Sequence, residues 1–269
     1  MSSPTTTAEP GRAPGGADPR RWVALAVVLI AGFMQLVDIS IVNVAIPSIQ
    51  RDLDATYSQI QWVLAGYQLA FAVMLITGGR LGDIYGRRRL FMTGMAGFVL
   101  ASALCGLAQS MGMLIGSRVF QGLMGAIMFP QILSVIQVTF PPQERATAFG
   151  MFGATIGVAT ITGPLVGGLL INADLFGLEW RPIFLVNVPI GIAALAVATR
   201  YLAESKAPRA LRPDPVGVVI VTVGLLLLVY PLVQGRDLDW PLWTFVSIAA
   251  SVPVLIGFGI YERYKKARD

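Results

Sequence analysis

Apolar residues run through this chain in long unbroken blocks rather than alternating with polar ones. Eight blocks can be drawn, at about 22–48, 59–79, 90–109, 111–138, 146–172, 183–203, 215–234 and 240–261, each ended by a short polar stretch. Roughly 18 or more apolar residues in a helix cross a hydrocarbon core of about 30 Å. Within lipid a chain must satisfy its own backbone hydrogen bonds, which helices do segment by segment. The pattern predicts an all-α polytopic membrane protein with about eight spans. The first block is too long, and too poor in cleavage signals, to be a removable signal peptide.

Composition sharpens this picture. Of 269 residues, 55% are hydrophobic and only 13% charged, where a soluble domain carries about a quarter charged residues. No histidine is present, so histidine catalysis and histidine metal sites are excluded, and the single cysteine, Cys105, allows no internal disulfide. With no metal-ligand cluster and no nucleophile–base pair in the pattern, an enzyme is not expected. No metal and no cofactor is expected either.

The basic balance, net charge +5, is explained by where the charges lie. Lysine and arginine collect on the cytoplasmic side of membrane proteins. Sixteen of the twenty fall on one side if the N-terminus is inside, and only Arg51, Arg181 and Arg236 fall on the other, with Arg118 inside a span. Both termini are therefore expected in the cytoplasm, and a nucleic-acid partner is not required. Composition divides the chain further. Residues 1–21 are rich in Pro, Gly, Ser and Thr and read as a disordered cytoplasmic leader. Six spans occupy 22–203, "ESKAPRALRPDP" marks a cytoplasmic linker at 204–214, two further spans occupy 215–262, and 263–269 form a basic tail.

Only Asp38 and Arg118 lie well inside spans. Each costs about 2.5–3.5 kcal/mol at a helix centre, and such residues usually face a cavity or a partner. Asp38 lies about 24 Å along the first helix from its cytoplasmic entry, and Arg118 about 10 Å below the outer face on the fourth. These depths agree within roughly one turn, so the two can pair. A static ion pair and a cavity-facing, proton-exchanging acid both fit. In the fifth block Gly153 and Gly157, and then Gly163 and Gly167, are four apart. Such spacing lets helices approach closely in lipid, and Pro164 removes a backbone hydrogen bond and should bend the span. Packing alone and a sliding contact are both consistent with it.

The remaining signal is in short motifs. "GGRLGDIYGRRRL" at 78–90 interrupts two apolar runs with Asp83, Arg87, Arg88 and Arg89 among glycines. Its Gly79, Leu81, Asp83, Gly86, Arg87 and Arg88 resemble the loop between helices 2 and 3 of the major facilitator superfamily. "LVDISIVNVAIP" at 36–47, with Asp38, Asn43 and Pro47, is similar to the first-helix motif of its fourteen-helix drug:proton antiporters. "SRVFQGLMGA" at 117–126, with Arg118, Gln121 and Gly122, resembles their fourth-helix motif. "GPLVGG" at 163–168 matches their fifth-helix antiporter motif through Gly163, Pro164, Gly167 and Gly168, and "WRPIFLVNVPIG" at 180–191 is typical of the group.

That resemblance implies a multi-pass inner-membrane protein that exports lipophilic or cationic drugs in exchange for protons, with the proton gradient as its energy source. Asp38 and Arg118, with Gln121 and Asn43, would handle proton and substrate. Asp83 would dock on a helix N-terminus in the second half, where the helix dipole favours an anion, and Arg87 would pair with an acid nearby, closing the cytoplasmic gate. The same family has six helices, two central ones and six more, whereas here six plus two are read before "YERYKKARD". The second half is expected to be missing, either through a truncated frame or because a separate chain or a second copy completes the protein. An accessory membrane subunit without transport of its own is the alternative.

Overall fold

A computed structural model describes residues 20–208 and 213–266. Most of the expected leader, the middle of the linker (209–212) and the last three residues lie outside the described residues. All regular structure among the described residues is helical. The elements are α1 (Arg20–Asp52), α2 (Tyr57–Tyr85), α3 (Arg87–Gly106), α4 (Met111–Thr139), α5 (Pro142–Ala173), the short α6 (Pro182–Leu185), α7 (Asn187–Tyr201), α8 (Pro215–Gln234) and α9 (Leu242–Lys266). With α6 and α7 counted as one span, eight helical segments are long and apolar enough to cross a membrane, as the hydrophobic blocks predict.

Local chemistry sets the ends. Thr56 and Gln59 form a reciprocal capping box at α2, Ser110 caps α4, and Asp214 caps α8 by accepting from the Gly217 N–H. Pro142 opens α5, where a missing N–H costs nothing. Some boundaries differ from those drawn from composition. Arg20 and Arg21 belong to α1, and α9 continues to Lys266, so the start of the expected tail is helical. The polar stretch at 80–85 is no loop: α2 runs through it, and Gly86 alone, at φ 117°, links α2 to α3. That left-handed backbone is strained for any residue with a Cβ, and a side chain there would also collide with Glu204.

Packing pairs α1 with α5 and α2 with α4, while α3 leans on α4 and α7, and α8 and α9 form a hairpin docked against α2. Two buried apolar clusters result. One gathers Leu25, Met34, Phe91, Phe98, Ile132 and Phe140. The other gathers Ile41, Ile49, Cys105, Leu114, Trp180 and Phe184. Along α1 the first cluster ends at Met34 and the second begins at Val37. Asp38 sits at that seam.

The hairpin α8–α9 is tied to α2 at both ends. At one end the Ser58 N–H donates to Asp237 and the Ser58 hydroxyl to the Val233 carbonyl, with Arg236 stacked 4.4 Å from the Tyr57 ring centroid. At the other, Glu262 faces Arg80 of α2 at 3.9 Å, while within the hairpin Asp214 pairs with Lys265 at 2.8 Å and accepts from Tyr261 at 3.0 Å.

Candidate functional site

Four spans meet at Asp38. α1 supplies the acid, which is fully buried. α4 supplies Arg118 and Gln121 one turn apart, α3 supplies Ser102, and the first residue of α7 supplies Asn187. Arg118 Nη1 donates to Asp38 Oδ2 at 2.6 Å and to Gln121 Oε1 at 2.6 Å. Gln121 Nε2 donates to Asp38 Oδ1 at 3.0 Å and to the Ser102 hydroxyl at 2.8 Å. Asn187 Nδ2 donates to the same Oδ1 at 2.8 Å and lies 3.3 Å from Ser102 Oγ.

The cation is held as firmly as the anion. Arg118 is 1% exposed. Its Nε donates to the Val63 carbonyl at 3.3 Å, and its guanidinium lies 4.2 Å from the Tyr67 ring centroid and 5.6 Å from that of Phe184. A desolvated cation over an aromatic face is worth about 2 kcal/mol or more. Gln35, one turn before Asp38, donates to the Tyr67 hydroxyl at 3.2 Å and fixes that ring. Burying two charges is tolerable only when geometry is good and further hydrogen bonds satisfy the pair; here Asp38 accepts three side-chain donors, and Arg118 donates from both Nε and Nη1. The carboxylate is fully buried among these partners, so in this conformation it is a closed knot.

The structure thus brings Asp38, Arg118 and Gln121 into one cluster. Asn43 stands apart from them: it is exposed and donates only to its own helix, to the carbonyls of Ile39 and Ser40. Asn187, Ser102 and Tyr67 were not singled out in the sequence. Asn187 had a signal, an isolated amide within "WRPIFLVNVPIG"; Ser102 had none, since a serine in a span is ordinary.

The cytoplasmic motif forms a second cluster. Arg87 Nη2 donates to Asp83 Oδ1 at 2.9 Å, four residues apart across Gly86. Asp83, expected to wait for a distant helix, therefore also has a partner here. Gly79 packs ordinarily against Pro130. Arg88 donates to the Thr199 carbonyl at 2.5 Å. Glu204, just past α7, accepts from the N–H groups of Arg88 and Arg89 at 3.1 and 3.3 Å and so satisfies the exposed start of α3.

On α5 the two glycine pairs divide. Gly163 and Gly167 press against Ser40 and Ile41 of α1, where a methyl group would overlap them, while Gly153, Gly157 and Gly168 face open space. Pro164 lies inside the helix beside Gly163.

A membrane-embedded helical bundle organised around one buried acid–arginine pair defines a class of polytopic membrane protein. The chain belongs to the Major Facilitator Superfamily, whose pattern matches residues 28–262. It is 50% identical over 249 residues to the "Probable actinorhodin transporter" of Streptomyces coelicolor, covering 93% of this chain and 43% of that protein. It is 39% identical to the "Tetracenomycin C resistance and export protein" of Streptomyces glaucescens, covering 90% of this chain and 45% of the relative. Its fold is shared with a bacterial homologue of the human lysosomal transporter Spinster, crystallised inward-facing and occupied, at TM-score 0.61 and 20% identity over 91% of this chain and 61% of that one. The chain spans less than half the length of these curated relatives.

Proposed function

We propose that this chain forms the first six-helix half, with two added helices, of a proton-driven exporter of lipophilic, antibiotic-type small molecules in the bacterial plasma membrane. The observation that carries the reading is the state of Asp38: a fully buried acid whose three partners, Arg118, Gln121 and Asn187, all donate to its ionised form. Protonation weakens the bonds by which this carboxylate ties α1 to α4 and α7, so a proton and the arrangement of these helices are linked. The membrane potential supplies about 2.3 kcal/mol per charge per 100 mV.

A single half does not make an alternating-access site, which lies where two repeats meet. The open face of α5, with Gly153 and Gly157 unfilled, is suited to meet a second half or a second copy. Asp83, whose side chain is 38% exposed despite its bond to Arg87, has an oxygen left to receive a helix N-terminus from that partner.

The test is gradient-driven uptake in everted vesicles containing the chain joined to the second half of the Streptomyces coelicolor relative. Energised vesicles should accumulate a lipophilic cationic dye, and Asp38→Asn at equal expression should lose the gradient-dependent part. Unchanged uptake by Asp38→Asn removes the acid from coupling. The chain alone in liposomes should move no dye above empty liposomes.

A further inference from the structure

The hydrogen bonds around Asp38 continue along one helix to the cytoplasmic motif. Asn187, which donates to Asp38, is the first residue of α7. The sixth span is continuous at this point: Val186 keeps helical angles, φ −60° and ψ −28°, and its N–H returns to the Pro182 carbonyl at 3.0 Å, while Pro189 has no N–H to offer the Leu185 carbonyl. The outer piece is pinned to α1, because Trp180 Nε1 and Arg181 both bond Asp52, at 3.0 and 2.9 Å. α7 carries that helix on for 15 residues, roughly 22 Å. Its far end runs into Glu204 and Ser205, which hold the α2–α3 turn. Glu204 takes the N–H groups of Arg88 and Arg89, the Ser205 carbonyl takes that of Arg87 at 2.9 Å, and the Ala207 N–H donates to the Asp83 carbonyl at 3.1 Å.

We infer that Asn187 is a positioning residue that passes the charge state of Asp38 along α7 to the α2–α3 turn, tightening the turn when the acid is ionised and loosening it when protonated. The inference rests on Asp38 being the proton-exchanging group. Hydrogen bonds to an ionised acceptor are roughly twice as strong as neutral ones, so protonation halves the grip on the Asn187 amide. That amide has a second acceptor at hand in Ser102 Oγ, 3.3 Å away, and the continuous helix from Asn187 to Tyr201 carries any change at its start to Glu204 and Ser205.

The groups facing Asp38 are Arg118 from α4, Tyr67 from α2 and Cys105 from α3. From the sixth span come only the Asn187 amide and the Phe184 ring, and from α5 the glycine edge at Gly163.

The experiment is hydrogen exchange by mass spectrometry on the whole chain in nanodiscs at one neutral pH, with Asp38→Asn as the uncharged counterpart of the ionised acid. In Asp38→Asn, residues 86–90 and 203–208 should exchange roughly fivefold faster than in the wild type, the loss of about one hydrogen bond. Asn187→Ala should speed the same residues while leaving α8 and α9 as protected as before, and Asn187→Gln, which keeps an amide donor, should restore part of the protection. Asp38→Asn combined with Asn187→Ala should add nothing further. Wild-type exchange at 86–90 and 203–208 in Asn187→Ala, or protection lost evenly across α8 and α9, overturns the inference. Wild-type exchange there in Asp38→Asn overturns the inference alone if gradient-driven uptake is lost, and the proton-site reading as well if uptake is kept.

Discussion

Two buried carboxylates anchor this molecule, and they are built differently. Asp38 lies mid-membrane and binds side chains from α4 and α7, so its bonds hold separate spans together. Asp214 lies at the edge of α8, 4% exposed, and binds the Gly217 N–H, Lys265 and Tyr261, all within the α8–α9 hairpin. Burial pushes the Asp214 carboxyl up, but the Gly217 N–H, Lys265 and Tyr261 outweigh it and hold the group down at about 2. A carboxylate whose donors all lie in one hairpin stays charged at any ordinary pH and behaves as a fixed clasp. One whose donors lie on separate spans joins elements far apart in the chain through a single charge.

Breaking the first anchor should have the largest effect. Arg118→Met leaves Asp38 buried without its counter-charge and should cost about 3–5 kcal/mol in detergent-solubilised unfolding, as removing one partner of a buried pair does. Asp38→Asn combined with Arg118→Met should recover most of that loss. Losses that simply add would mean that the two residues do not act as a unit.

The next effect tests what presses α1 into place around its acid. Gly163→Ala puts a methyl group on Ser40, two residues from Asp38, and should cost about 1–3 kcal/mol through overpacking. Gly157→Ala, on the open face of the same helix, should leave the melting temperature unchanged or raise it, since alanine is the better helix former by about 1 kcal/mol. Equal losses at both positions would show that the two faces of α5 are not distinct.

Asp214→Ala removes a cap and strands Lys265, and should cost about 1–2 kcal/mol of hairpin stability. Because the folded-state pKa is lowered, the stabilisation is complete above about pH 4 and is lost as pH falls through about 2. The difference in melting temperature between the wild type and Asp214→Ala should therefore close over that interval. A gap that persists well below pH 2 would point to packing rather than charge.

The smallest effect belongs to Asp83→Asn in this chain. The Asp83–Arg87 pair is partly exposed and four residues apart, so its loss should cost no more than about 1 kcal/mol. A larger loss would mean that Asp83 is already a structural anchor here rather than a group kept available for a partner.

Long apolar runs leave a chain in lipid no choice but helices, so the eight spans were legible from hydrophobicity alone. Asp38 and Arg118 stood out for the same reason: a charge in an apolar run is costly anywhere in the sequence. Their matching depths followed from 1.5 Å of rise per residue. Contacts between residues 149 positions apart, such as Asn187 with Asp38, depend on how helices rotate and cross, which composition does not encode. Asn43 shows the converse, since a motif put it in register with Asp38 while helical geometry turned it to the exposed face. The split of the α5 glycines into packed and open pairs, and the return of Glu204 onto the start of α3, were likewise decided by packing. Periodicity places a residue on its helix; only the neighbouring helices determine what that face meets.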